Sequence, residues 1–156
     1  MRNELLLDGV NHIGMVTNDI DRLTAFYRDV FGCESRVVED NDEINLTFID
    51  IGERRELNVF TMKKHAPQFN RGDMFTNGAL DHIGLQAKSK EAFDEIRRRL
   101  MAKGATDGFV TDFGMALSCF FRDPDGLGGE VLITVPGATH TNPPGTKAEG
   151  YEVGTP

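Results

Sequence analysis

Cysteine, positive charge and long apolar segments are all scarce in this sequence of 156 residues. The two cysteines, Cys33 and Cys119, stand far apart, which predicts free thiols in a reducing, cytoplasmic environment and excludes a disulfide framework. Lys and Arg total 17 against 25 Asp and Glu, a formal net charge of −8. This balance argues against a nucleic-acid surface, because phosphate binding needs clustered positive charge. No apolar run approaches the roughly 18 residues that would span a membrane. We therefore expect a soluble protein that folds around its own core.

One short motif is present twice in the sequence. Residues 9–16 read GVNHIGMV, and residues 79–86 read ALDHIGLQ. Both copies contain an apolar residue, Asn or Asp, His, Ile and Gly in that order. Such self-similarity indicates an internal duplication, so the segments that follow the two copies should share one order of helices and strands.

The segments after the two copies do predict the same elements. Apolar residues recur at helical spacing up to Gly32, and three strand-like runs follow. In the second half a helix is predicted to begin after Ser89 and to end at Gly104, again before three strand-like runs. The sequence thus predicts an α+β protein of two β-α-β-β-β modules, residues 1–62 and 80–136.

Two segments lie outside these modules. The connector, residues 63–79, has no helical or strand periodicity and is predicted to lie on the surface. The C-terminal tail, residues 137–156, is rich in Gly, Pro and Thr and nearly free of aliphatic residues, a composition typical of disorder. We expect the tail to be held by its own sheet or by a second chain.

The duplication pairs two histidines with two glutamates. His12 and Glu56 in the first module match His82 and Glu130 in the second, and each glutamate is predicted to open the last strand of its module. Because alternate side chains of a strand share a face, each histidine shares its face with the glycine two residues on, which leaves open space beside the imidazole. Two imidazoles and one or two carboxylates suit Zn, Ni, Co, Mn or Fe(II). We predict all four residues as metal ligands.

Other interpretations of these residues are plainer. A lone histidine in an apolar strand is usually a hydrogen-bonded structural residue, and the duplication is what favours ligands. Glu56 also fits an exposed charged turn, because residues 53–55 are Glu, Arg and Arg. His65 and His140, in the connector and the tail, are expected in solvent. Residues 123–126, Asp-Pro-Asp-Gly, predict a turn whose acidic side chains stabilise the bend.

Three stretches resemble the vicinal oxygen chelate superfamily: NHIG, LDHIGLQ and FFRDPDGLGGEVLI. That superfamily includes glyoxalase I, methylmalonyl-CoA epimerase, extradiol dioxygenases, and fosfomycin- and bleomycin-resistance proteins. The resemblance covers about residues 8–136. It implies two modules that form a curved, cup-shaped mixed sheet, with the helices outside, around one divalent metal ion. The ligand positions match His12, His82 and Glu130, and Glu56 matches the fourth ligand of the glyoxalase-like branch.

The resemblance also implies a reaction and an assembly. The metal would bind two neighbouring oxygens of a small substrate and act as a Lewis acid. In a glyoxalase- or epimerase-like lyase or isomerase, Glu130 or Glu56 would remove a proton beside a carbonyl. A homodimer is favoured, in which His12 and Glu56 of one chain would meet His82 and Glu130 of the other.

Three alternatives to the lyase or isomerase stay open. An extradiol-type Fe(II) dioxygenase would need only His12, His82 and Glu130, so the presence of Glu56 favours the lyase or isomerase class. A metal-free binding or resistance protein would lack the ligand set. A fosfomycin-type transferase would carry a basic patch for a phosphonate, of which the sequence shows no clear example.

Overall fold

The computed structural model describes residues 10–64, 80–143 and 145–154. The chain divides into two compact units, Met1–Phe69 and Asn70–Pro156. Each unit contains one helix and one four-stranded mixed sheet, so the predicted α+β class and the β-α-β-β-β order of both modules are confirmed. Among the residues described, no helix is both long and apolar enough to cross a membrane.

In the first unit, the first and last strands lie side by side and run parallel, whereas the other strand pairs are antiparallel. From one edge of the sheet to the other, the strands lie in the order first, fourth, third, second. This pairing places the beginnings of the first and last strands at the same edge. The elements are β1 (His12–Thr17), α1 (Ile20–Phe31), β2 (Ser35–Asp40), β3 (Ile44–Asp50) and β4 (Glu56–Met62).

Helix α1 begins and ends at the residues that its sequence signals indicate. The Asp19 side chain accepts a hydrogen bond from the backbone N–H of Arg22 at 2.9 Å and so caps the N-terminus. Gly32 ends the helix with a φ of 72°, a left-handed conformation that suits glycine. The buried face of the helix and one face of the sheet form the core of this unit. Its buried apolar residues are Leu23, Phe26, Tyr27, Val30, Ile49, Leu57 and Val59.

The second unit repeats this strand order, again with a parallel pair formed by its first and last strands. Ser89 caps the helix by accepting a hydrogen bond from Ala92 N at 3.2 Å. The predicted turn is confirmed, because Asp123 is buried and its Oδ1 accepts hydrogen bonds from the backbone N–H groups of Asp125 and Leu127. The elements are β5 (Ile83–Gln86), α2 (Lys90–Ala102), β6 (Val110–Asp112), β7 (Ala116–Arg122) and β8 (Gly128–Thr134).

The C-terminal tail lies against its own unit, although its composition is typical of disorder. Its backbone continues the sheet beyond β6, since Ala148 N donates to Val110 O at 2.9 Å and Asp112 N donates to Thr146 O at 2.8 Å. The Tyr151 ring meets Phe93 of α2 edge-on, with ring centroids 6.0 Å apart. Of the two expected partners of the tail, its own sheet and a second chain, its own sheet is the one that it contacts here. Most of the connector, including His65, lies outside the described residues.

Candidate metal centre

His82 stands immediately before β5 and is held from both sides of its ring. Its Nδ1 lies 2.7 Å from Asp81 Oδ2, and its Nε2 lies 3.4 Å from Glu130 Oε1. Because a carboxylate only accepts hydrogen bonds, the contact with Asp81 places a ring proton on Nδ1, and Nε2 faces Glu130. A ligating histidine is usually held in this way by a carboxylate behind it.

Glu130 extends from β8 over Gly84, two residues after His82. A Cβ atom built on Gly84 would lie 3.5 Å from Glu130 Oε1, so the carboxylate fills the space that glycine leaves. Ser118 Oγ donates to the other carboxylate oxygen at 2.5 Å, and the Phe120 ring meets the His82 ring edge-on at 5.4 Å. The Glu130 side chain is only 17% exposed. The pair therefore sits in a partly shielded, partly apolar environment, in which a bound cation would be attracted strongly to the carboxylate.

His12 repeats the local arrangement of His82 in the first unit. It is the first residue of β1, and its Nδ1 lies 2.9 Å from Asn11 Oδ1. Asn11 thus does for His12 what Asp81 does for His82, although His12 is exposed. In both modules the residue before the histidine supplies a side-chain oxygen to Nδ1, which leaves Nε2 available to a ligand.

Glu56 lies beside His12 but is already engaged. It is the first residue of β4 and pairs with His12 across the parallel β1–β4 ladder. Its Oε1 accepts a hydrogen bond from Arg36 Nη2 of β2, and the two form an ion pair. The Arg36 guanidinium also lies over the Phe48 ring, 4.7 Å from its centroid. Glu56 is therefore part of a surface ion pair across the sheet.

The strand registers pair a different residue with Glu130. In the second unit Gly84 is opposite Glu130, and in the first unit Gly14 is opposite Asn58. The first-module counterpart of Glu130 is therefore Asn58, not Glu56. Glu56 does open its strand as predicted, but Glu130 is the third residue of β8, which begins at Gly128.

The sequence does not point to Asn58 when the two modules are matched by residue type, because that match sets Glu56 against Glu130. A signal for it is present in the sequence: aligning Val59 with Val131 sets Asn58 against Glu130, and both valines are buried. The buried position on each strand, not the shared letter, defines the equivalence.

The structure brings the four predicted ligands together as two pairs, one in each unit. Among the described residues, no group of three or more His, Cys, Asp or Glu side chains is close enough to hold a metal ion. The pair His82 and Glu130 offers one nitrogen and one oxygen donor with the ring oriented from behind, and this fits a divalent metal. The pair His12 and Glu56 offers a free imidazole nitrogen and an engaged carboxylate.

Neither cysteine adds a nucleophile. Burial raises the pKa of the Cys33 thiol to about 11, and the charge of Asp50 adds to the effect. Burial also raises the pKa of Cys119, which is fully enclosed. Because the thiolate is the reactive form, both residues are inert at neutral pH, in agreement with the prediction of free thiols.

Residues 9–131 match the family model described as the Glyoxalase/Bleomycin resistance protein/Dioxygenase superfamily, and the chain belongs to this superfamily. The resemblance inferred from the repeated motif and the closing motif is therefore confirmed. No curated protein matches the sequence.

Solved structures show the same fold. A glyoxylase/bleomycin resistance protein/dioxygenase domain from Frankia sp. EAN1pec matches with a TM-score of 0.68 at 20% identity, covering 86% of this chain and 97% of the other. The fosfomycin resistance protein FosX from Listeria monocytogenes, complexed with Mn(II) and sulfate, matches with a TM-score of 0.58 at 21% identity, covering 84% and 96%. Lactoylglutathione lyase from Agrobacterium tumefaciens matches with a TM-score of 0.53 at 24% identity, covering 83% and 96%.

Proposed function

We propose that the protein is a metal-dependent lyase or isomerase that moves a proton on a small substrate with two neighbouring oxygens. His82 and Glu130 would hold a divalent metal. His12 would be the third ligand, from the first module of the same chain or of a second chain. When bound, the metal would supply Lewis-acid polarisation of the substrate oxygens. The observation that carries the proposal is the 3.4 Å approach of His82 Nε2 to Glu130 Oε1, with the ring oriented by Asp81.

Membership of the superfamily supports this assignment. FosX, a structure of the same fold, was solved with Mn(II), and another similar structure is a lactoylglutathione lyase. Both names are consistent with a divalent metal and a small substrate. The repeated support of Nδ1 in both modules also favours a ligand role for both histidines, because a structural histidine does not require the same neighbour in two places.

Glu130 is the residue we assign as the base. It is a partly buried carboxylate, so a proton removed from a substrate carbon can be accepted at Oε1 or Oε2 within hydrogen-bond reach. Ser118 Oγ already donates to Oε2, which leaves Oε1 as the oxygen directed toward His82. Ser118 thus fixes the carboxylate, and Oε1 would detach from the metal to accept the proton.

A second candidate function is an Fe(II)-dependent, ring-cleaving dioxygenase. The ion pair between Glu56 and Arg36 favours it, because it leaves two histidines and one carboxylate as donors. Two His and one carboxylate with open positions is the donor set of non-haem Fe(II) oxygenases. The chemistry of that class requires oxygen, whereas proton transfer does not.

The experiment that tests the proposal is metal analysis of protein purified without chelators, followed by oxygen-uptake assays with Fe(II) and catechols. We expect about one divalent metal per site in the wild type, and loss of that metal in His82→Ala and Glu130→Gln. Oxygen uptake would overturn proton transfer in favour of the dioxygenase. A folded wild type that takes up no metal would overturn both and leave a metal-free binding protein.

A further inference from the structure

The C-terminal tail extends the sheet of the second unit and places a lysine on it. Lys147 of the tail is opposite Thr111 of β6 in an antiparallel bridge, and the next tail residue, Ala148, donates its backbone N–H to Val110 O at 2.9 Å. Residues directly opposite each other on antiparallel strands point to the same face. Lys147 and Thr111 therefore share one face of the sheet, and Ala148, which is buried, points to the other.

This face of the sheet is the one that carries Glu130. Thr111 is opposite Ser118 in the β6–β7 ladder, and Ser118 shares its face with Phe120, which is opposite Glu130. The hydrogen bond from Ser118 Oγ to Glu130 Oε2 agrees with this placement. Ser118 and Thr111 are short and buried. Lys147 and Glu130 therefore lie on one face of one sheet, with two small hydroxyl side chains between them.

The tail is fixed on both sides of Lys147. The residue before it, Thr146, accepts a hydrogen bond from Asp112 N at 2.8 Å. Later in the tail, the Tyr151 ring packs edge-on against Phe93 of α2. The backbone at Lys147 is thus positioned before any ligand binds, which lowers the entropic cost of binding one there.

The ammonium group of Lys147 has one weak partner among the described residues. Its Nζ lies 3.5 Å from Glu152 Oε2, and the Glu152 side chain is 93% exposed. Water and salt screen an exposed ion pair of this kind, so it contributes little. Because an ammonium group has three donors, Lys147 can also bind an anionic group of a ligand.

From this placement we propose that Lys147 is a specificity-determining residue that binds a carboxylate at the far end of the substrate. The tail strand lies three strand spacings from β8, roughly 14 Å, and the long side chains of Lys147 and Glu130 shorten the gap between their charged groups. The substrate class is then an elongated acid, with its two neighbouring oxygens near Glu130 and a distal carboxylate at Lys147. Lys147 lies beyond residues 9–131, which match the superfamily, so it would add specificity to a site common to the superfamily. This inference rests on the proposed function.

The test measures the binding of two probes to the Mn(II)-loaded protein by water-proton relaxation. 2-Hydroxyoctanedioate and 2-hydroxyoctanoate share one chelating end, but only the first carries a carboxylate at the other end. We expect Lys147→Gln to weaken binding of the diacid about fivefold, the upper range for an exposed ion pair, and to leave the monoacid within twofold. Lys147→Arg keeps the charge and should stay within twofold of the wild type for both probes.

The matched control is Lys103→Gln, which removes one positive charge at the C-terminal end of α2 and should leave both probes within twofold. If Lys103→Gln weakens the diacid as much as Lys147→Gln does, the effect is one of net charge, and the role of Lys147 is overturned. Equal effects of Lys147→Gln on both probes, or none, would also overturn that role while the metal site stands. A folded wild type that binds no Mn(II) would instead overturn the proposed function, and this inference with it.

Discussion

Asp81 Oδ2 lies 2.7 Å from Nδ1 of His82, and Asn11 Oδ1 lies 2.9 Å from Nδ1 of His12. In each module the residue that precedes the histidine fixes the ring from behind. This relationship is local in sequence, and it determines which ring nitrogen faces outward. Because the neighbouring residue can be substituted while the histidine is kept, such a variant tests whether the orientation of the ring matters for metal binding.

We predict that Asp81→Ala lowers metal affinity about 10- to 100-fold, as is usual when the hydrogen-bond partner of a ligating histidine is removed. Asp81→Asn should lose much less, because an amide oxygen still accepts from Nδ1, as Asn11 does for His12. Titration with Mn(II) measures both variants. An Asp81→Ala protein with wild-type affinity would show that the ring does not need this support to bind metal.

The tail should contribute to the stability of the second unit through Tyr151. Its ring packs edge-on against Phe93, and its hydroxyl donates to Asp94 Oδ1 at 2.7 Å. Because the ring is half-buried, Tyr151→Ala should cost about 2 kcal/mol, and Tyr151→Phe about 1 kcal/mol. Urea denaturation measures the change. Val153→Ala, at an exposed position, is the control and should lie within about 0.5 kcal/mol of the wild type.

Substitution by alanine should change the stability of the protein at one glycine of the sheets and not at another. A Cβ atom on Gly129 would lie 2.4 Å from Cζ of the buried Phe121 ring, whereas one on Gly14 would meet no described atom within 4 Å. Gly129→Ala should therefore destabilise the protein by about 1–3 kcal/mol, and Gly14→Ala should leave its stability nearly unchanged. Thermal unfolding of both variants and the wild type measures the two changes in stability. A stable Gly129→Ala protein would mean that the Phe121 ring moves aside freely.

The raised pKa of Cys33 predicts a pH dependence of stability. The pKa of this thiol is about 11 in the folded protein, against its ordinary value of 9.0. Between pH 9 and 11 the unfolded chain loses the thiol proton while the folded chain keeps it, so stability falls as pH rises through this window. In a Cys119→Ala background, the absorbance at 240 nm that exceeds that of the Cys33→Ala/Cys119→Ala variant reports the thiolate without the tyrosines, and it should rise near pH 11 when folded and near pH 9 in urea. Equal midpoints would contradict the burial effect.

A homodimer that shares its sites would show complementation between variants. We expect His12→Ala and His82→Ala each to bind no metal alone. If each site takes His12 from one chain and His82 from the other, a mixed dimer contains one site with both histidines intact. Mixing the two variants after reversible dissociation should then recover metal binding at up to one site per mixed dimer. Sedimentation as a monomer, or no recovery, would contradict the shared arrangement.

Much of the fold could be predicted from local patterns. The apolar spacing before Gly32 defines α1, and Gly32 adopts the left-handed conformation that a helix end requires. The turn at Asp123 follows from its own side-chain hydrogen bonds. The duplicated histidine motifs identify the first strand of each module. Each of these features depends on residues close together in sequence, so propensity and pattern are sufficient to define them.

The order imposed on the tail could not be predicted in this way. Its composition contains little that could form a core, and its backbone hydrogen bonds are made to β6, more than thirty residues earlier in the sequence. Tyr151 binds α2 through contacts with Phe93 and Asp94. The order of this segment comes from a surface that exists only once the second unit has folded.

Some residues of the candidate site could likewise be identified from the sequence, and others only from the tertiary structure. The sequence by itself identified the two histidines and Glu130 as candidate ligands, through the duplication and the closing motif. The alternation of buried and exposed positions could not distinguish Glu56 from Asn58, since residues two apart on a strand share one face. The alignment of Val59 with Val131 favours Asn58. Only the pairing of β4 with β1 and β3 decided that Asn58 is the counterpart of Glu130 and that Glu56 reaches Arg36. Strand register is set by packing across the sheet, and that information is not contained in any single strand.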